Sequence, residues 1–104
     1  MDDKKMSKQT IPAHVEVYTA WQLARRIFPR RKILAAYYHA GRTDDGLMLE
    51  FPDASHRMER KVEFYTDEHL RLELGAWQVR SAETVIEDAQ GHKQTEWTRA
   101  FLFA

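Results

Sequence analysis

The feature that most constrains the fold is a two-residue alternation of apolar and charged residues in short segments of the second half of the chain. Apolar residues at 58, 62 and 64 alternate with charged residues at 59, 61 and 63, and leucines at 70, 72 and 74 alternate with charged residues at 71 and 73. This period is typical of strands with one buried face. Residues 66–69 are interpreted as the turn between them. At Gly75 the apolar positions change parity, which indicates a β-bulge. Further strands are predicted over about 83–87 and from the turn at 90–92 to the C-terminus.

A single helix is predicted near the start. Thr19 and Gln22 have the spacing of a capping box, in which a hydroxyl and an amide each satisfy an unpaired backbone N–H. Pro29 disfavours helical geometry in the residue before it, so the helix is expected from Ala20 to about Phe28. Its apolar residues share one side, and this amphipathic pattern places that side on a core.

The segment from 32 to 51 fits two structures. Ile33, Leu34, Tyr37 and Tyr38 have helical spacing, with Gly41 at a helix C-cap position. Alternatively, residues 32–40 and 47–51 are two strands joined by the turn-rich residues 41–46. Short apolar runs are not resolved by periodicity alone, and we favour the hairpin.

These elements predict an α+β fold, with one N-terminal amphipathic helix packed on an antiparallel, meander-like sheet of about five to six strands. Residues 11–104 are expected to form one domain and residues 1–10 a disordered polar tail. Both faces of the sheet carry large apolar groups, so we expect either a cupped sheet or a homodimer. The aromatic residues expected in the core are Trp21, Phe28, Phe64, Trp77, Trp97, Phe101 and Phe103.

Composition excludes several classes of protein. The 104 residues contain no cysteine, which rules out disulfide frameworks, cysteine zinc sites and thiol catalysis. The pattern of a secretory signal is missing, as is an apolar run long enough to span a membrane, so we expect a cytoplasmic protein with no membrane partner. The net charge is zero, but the charges are unevenly distributed along the chain. Residues 1–40 contain eight Lys and Arg and three Asp and Glu, whereas residues 41–104 contain eight Lys and Arg and thirteen Asp and Glu.

The basic residues are concentrated in one candidate site. Five cations fall within eight residues, near aromatic residues on either side: Arg25, Arg26, Arg30, Arg31 and Lys32. Such a strip suits phosphate recognition, because neutralised phosphates release counterions and aromatic rings stack on bases. The alternative is a solvated helix face followed by a polar loop, in which the arginines beside Pro29 pair with acidic strands.

No catalytic, cofactor or metal site is predicted. The five histidines are spaced 13 to 25 residues apart, which does not match the spacing of metal ligands on one helix or strand. Residues 53–56 contain an acid, a serine and a histidine, but no strand-turn-helix motif surrounds the serine, so a polar turn is the better interpretation. The carboxylate pairs are expected to lie on solvated strand faces.

Three functional hypotheses follow. The first is a non-enzymatic binding or regulatory domain that contacts nucleic acid or an acidic protein through the basic helix-turn segment. The second is a small-ligand or enzyme pocket in a cupped sheet closed by the helix, with Tyr37, Thr84 or Arg99 as inward polar groups. Arg99 shares parity with Trp97 and Phe101, which places a cation on an apolar face. The third is a structural homodimer.

Overall fold

Six strands and two helices make up the part of the chain that the computed structural model describes, residues 13–54 and 59–104. Their bounds are β1 His14–Tyr18, α1 Ala20–Ile27, β2 Ala35–Ala40, β3 Asp45–Pro52, β4 Arg60–Thr66, α2 Asp67–Leu74, β5 Gln78–Glu87 and β6 Lys93–Phe103. Neither of these helices is long and apolar enough to cross a membrane. The predicted polar tail, residues 1–10, lies outside the described residues.

The strands form two antiparallel sheets of three strands each. The terminal sheet has the order β1-β6-β5, and the central sheet has the order β2-β3-β4. Chain order makes each helix a crossover: α1 leads from the terminal sheet to the central sheet, and α2 leads back. The prediction of an antiparallel α+β domain is confirmed. The single sheet of five to six strands and the single helix are wrong, because both connections between the sheets are helical.

The capping signal of α1 is confirmed in detail. The backbone N–H of Gln22 donates to the Thr19 hydroxyl at 3.1 Å, and the backbone N–H of Thr19 donates to the Gln22 side chain at 3.0 Å. Leu23 and Ala24 are fully buried, so the helix packs on the core by the apolar side that the sequence predicts.

Residues 67–74 are helical where the sequence pattern predicts a turn and a strand. Thr66 is the N-cap and accepts from the backbone N–H of His69 at 3.2 Å. Gly75, predicted as a β-bulge, is instead the left-handed C-cap with φ of 71°, a conformation that glycine adopts without steric cost. Leu70 is fully buried and Leu72 is 67% exposed. The leucine alternation therefore does not mark a strand face.

The hairpin predicted with strands over residues 32–40 and 47–51 is confirmed, with strands β2 and β3 at Ala35–Ala40 and Asp45–Pro52. β2 and β3 pair antiparallel from Ala35 opposite Glu50 to Ala40 opposite Asp45. β3 also pairs with β4, and at Gly46 the partner backbone is so close that an added Cβ would lie 2.1 Å from the carbonyl oxygen of Tyr65. Only glycine fits this position of the central strand.

The core lies between the two sheets and the two helices. Its largest fully buried side chains come from both helices, from β3 and from β6: Leu23, Leu47, Leu49, Phe51, Leu70 and Phe101. Burial of Phe101 was correctly predicted. The predicted burial of the three tryptophans is wrong, because Trp21, Trp77 and Trp97 are 48%, 41% and 57% exposed. None of the described elements covers the outer half of the β5–β6 pair, where residues 83–87 and 93–95 are all exposed.

Replacing Leu49 by alanine should remove about 3 kcal/mol from the free energy of unfolding, because Leu49 is fully buried in β3 and the change leaves a cavity. The matched change Leu72→Ala, at the exposed position of α2, should cost about 0.5 kcal/mol or less. Urea denaturation of both variants measures the difference. Equal losses would contradict this assignment of the core.

Candidate ligand-binding cleft

A cleft of about 620 Å³ opens where the two sheets meet at the start of α1. Its walls come from the start of α1, from β2 of the central sheet and from β5 and β6 of the terminal sheet. A volume of this size is within the range of small-molecule sites, roughly 300–1,000 Å³. The cleft is therefore large enough for a small organic ligand.

Aromatic side chains form much of the lining. Trp21 of α1, Tyr37 of β2 and Trp97 of β6 all line the cleft, and each is roughly half exposed. Such rings offer wide apolar faces for stacking with a ligand. The sequence predicts both tryptophans in a core, and only the gap between the sheets shows that they face a cleft.

Arg99 of β6 is the buried charge in the wall of this cleft. Its side chain is 4% exposed. Nε donates to Oδ1 of Asp67 at 3.1 Å, and Nη1 donates to Oγ of Ser81 at 2.9 Å. The guanidinium carbon lies 4.7 Å from the centre of the Tyr38 ring. Arg99, which the sequence predicts on an apolar strand face, thus pairs with a carboxylate and also lines the cleft.

The remaining nitrogen of the Arg99 guanidinium is Nη2. Among the described residues, Nη2 is a buried side-chain nitrogen without a hydrogen-bond acceptor. Leaving a buried donor unsatisfied costs about 1–3 kcal/mol, and more when the group is charged. An acceptor atom placed here by a ligand would recover that free energy.

The strand register explains how these groups come together. Ser81 of β5 and Tyr18 of β1 are the direct neighbours of Arg99 across the terminal sheet. Trp97 lies two residues from Arg99, on the same face of β6, because strand side chains alternate. Sequence parity therefore located Arg99 and Trp97 correctly on one face, but gave no sign of Ser81.

Burial also shifts the pKa values of the groups around Arg99. Burial raises the pKa of Tyr38 well above its ordinary value, so its hydroxyl stays protonated and donates to the carbonyl oxygen of Tyr18 at 2.7 Å. Burial likewise raises the pKa of Asp67, and the Arg99 guanidinium opposes that rise. The Asp67 carboxylate is only partly shielded, with 31% of its side chain exposed.

The start of α1 adds a second positive feature to the cleft. Thr19, Ala20 and Trp21 all line it. The first turn of the helix carries no acidic residue, so the partial positive charge at the helix N-terminus is not offset from within that turn. Glu96 of β6 contributes the opposite charge elsewhere in the wall.

The five residues of the predicted basic site lie outside this cleft. Arg25 donates to the carbonyl oxygens of Pro29 and Arg31, both at 3.1 Å, and so ties the turn to the helix. Arg31 forms a two-point ion pair with Glu63 at 3.4 Å and stacks 3.5 Å above the centre of the Phe51 ring. Arg26, Arg30 and Lys32 are exposed. None of the five lines the cleft.

Of the three inward polar groups that the sequence predicts, two line the cleft. Tyr37 and Arg99 are these two, whereas Thr84 lies on the exposed part of β5, outside the cleft. Over residues 13–54 and 59–104, no cluster of three His, Asp or Glu side chains is placed to hold a metal ion. The predicted polar turn at residues 53–56 is described only in part, because Ser55 and His56 lie outside the described residues.

Comparisons of the chain with protein-family models, characterised proteins and solved structures give no match.

Replacing Tyr65 by phenylalanine should raise the pKa of Glu63. The Tyr65 hydroxyl donates to the Glu63 carboxylate and, together with Arg31, lowers its pKa. A lowered folded-state pKa contributes stability above the unfolded value and loses it as pH falls through the folded value. The stability lost in Tyr65→Phe at pH 7 should therefore shrink on acidification. NMR titration of the carboxyl carbon measures the pKa directly.

Tyr18→Phe is the matched control, because the Tyr18 hydroxyl donates to Glu16 and lowers the pKa of that carboxyl. This variant should raise the pKa of Glu16 and leave Glu63 unchanged. If Tyr65→Phe leaves the pKa of Glu63 unchanged, the hydrogen bond from Tyr65 to the Glu63 carboxylate, with which Arg31 also pairs, is wrongly assigned.

Proposed function

We propose that this domain binds a small organic molecule in the cleft between its two sheets. The observation that carries the proposal is the buried Arg99, which lines a cavity of about 620 Å³ and whose Nη2 has no acceptor among the described residues. Buried charged donors are normally satisfied within the protein or by a bound group. A ligand acceptor is the group that this position lacks.

The lining supports a ligand with a flat apolar body. Trp21, Tyr37 and Trp97 keep large parts of their surface exposed, although burying an aromatic side chain is favourable by a few kcal/mol. A planar ligand would cover these faces. The few polar groups, chiefly Arg99 and Ser81, would then set its orientation, as in small-molecule sites generally.

An NMR screen with bicyclic aromatic fragments tests the proposal. Binding in the cleft should shift the indole N–H signals of Trp21 and Trp97 and leave that of Trp77, which is outside the cleft lining, in place. Trp97→Ala should weaken binding about two- to tenfold, the range of a lost aromatic contact. Trp77→Ala is the matched control, since it removes an equally large and similarly exposed ring.

Two results would contradict the proposal. One is a screen in which no fragment shifts the signals of Trp21 and Trp97. The other is a fragment whose affinity falls as much in Trp77→Ala as in Trp97→Ala.

Contact with nucleic acid or an acidic protein through the basic segment stays a prediction of the sequence. The contacts of Arg25 and Arg31 with the turn and with Glu63 stabilise the fold, so Arg30 and Lys32 are the residues to change. If the segment binds nucleic acid, Arg30→Glu with Lys32→Glu should abolish low-salt binding of a labelled oligonucleotide and leave the melting temperature unchanged. Unchanged binding would contradict the prediction.

The homodimer also stays a hypothesis. Val15 and Val17 of β1 are each about half exposed on the face of the terminal sheet that points away from Phe101. This face is where a second copy would gain most from shared burial.

A further inference from the structure

We infer that the ligand of the cleft is an aromatic carboxylate, whose carboxylate lies between Arg99 and the start of α1 and whose ring lies against Trp97. This inference rests on the proposed function and adds the chemical class and the orientation of the ligand. Two independent features support it: a buried guanidinium nitrogen without an acceptor, and a helix N-terminus with no acidic residue in its first turn. Both belong to residues that line the same cleft.

The guanidinium of Arg99 has one buried nitrogen, Nη2, that none of the described residues pairs. Asp67 accepts from Nε and Ser81 accepts from Nη1, so both partners leave Nη2 unused. Asp67 does not line this cleft and instead lines a separate recess of about 260 Å³. A carboxylate oxygen on Nη2 would form a charge-assisted hydrogen bond, which is stronger than the bond to a neutral acceptor.

The charges around the cleft favour a monoanion over a dianion. Asp67 already pairs with Arg99, and Glu96 adds a second carboxylate to the region. A carboxylate group matches the unpaired N–H groups of Nη2 and the partial positive charge of the helix N-terminus. A phosphate ester of charge near −2 would meet stronger repulsion from the two acidic residues.

The spacing along β6 orients the ligand. Trp97 is two residues from Arg99 on the same face, about 7 Å away, and Glu96 is three residues away, about 10 Å. A carboxylate at Arg99 therefore places its attached ring beside Trp97. This orientation also keeps the negative charge of the ligand away from the carboxylate of Glu96.

The test compares three probes that share one ring system: 2-naphthoate, 2-naphthamide and 2-naphthyl phosphate. Isothermal titration calorimetry with the full chain in about 0.1 M salt should show naphthoate binding about tenfold or more tighter than the amide. It should also bind tighter than the phosphate. Arg99→Gln should bring naphthoate and naphthamide to equal affinity, because the charged donor is gone.

Gln22→Glu provides a test that preserves the fold. A glutamate at this position keeps the capping box with Thr19 and places a negative charge at the start of α1. It should weaken naphthoate about two- to fivefold and leave naphthamide unchanged. Gln90→Glu makes the same charge change in the β5–β6 turn, away from the cleft, and should change neither affinity. If Arg99→Gln does not fold, the comparison of Gln22→Glu with Gln90→Glu tests the inference on its own.

The outcomes separate the two proposals. If naphthoate and naphthamide bind equally with shifts at Trp21 and Trp97, ligand binding stands and the carboxylate inference is overturned. The inference also falls if the phosphate binds tightest, or if Gln22→Glu weakens naphthoate no more than Gln90→Glu does. If none of the three probes binds, both proposals fall.

Discussion

The structure depends on how it accommodates the buried charge of Arg99. A guanidinium removed from water is costly unless charged or polar partners surround it. Those partners come from three other elements: Asp67 from α2, Ser81 from β5 and the ring of Tyr38 from β2. Because these elements belong to both sheets and to one crossover helix, a single residue of β6 joins the two halves of the fold.

The same arrangement leaves Nη2 of Arg99 without an acceptor among the described residues, and this connects stability to the proposed ligand binding. The folded protein carries the cost of the bare Nη2, but the guanidinium is already held by Asp67 and Ser81 in one orientation. A ligand that reaches it gains a charge-assisted hydrogen bond without paying to order the side chain. Preorganisation of this kind is typical of binding sites built on strands.

Two residues of the basic cluster have structural contacts that a charge pattern does not show. Arg25 and Arg31 are exposed cations, and Arg25 donates to backbone carbonyls of the turn. Arg31 packs on Phe51 and pairs with Glu63 of a strand 32 residues away. The alternative interpretation of the sequence, in which the arginines beside Pro29 pair with acidic strands, is correct for Arg31. Pairing over that distance is a tertiary property, and a local run of charges does not reveal it.

The sequence by itself determined the elements whose signals are local. The capping box of Thr19 and Gln22 and the placing of Arg99 with Trp97 depend on neighbouring residues and strand parity. Over residues 32–51 the sequence favoured a hairpin but also fitted a helix, and the structure decided for the hairpin. Only the tertiary structure decided that residues 67–74 are helical, because five alternating residues fit a strand or a short helix equally well. It also decided that six strands divide into two sheets. That division depends on long-range pairing, and it turns Trp21 and Trp97 from expected core residues into the walls of a cleft.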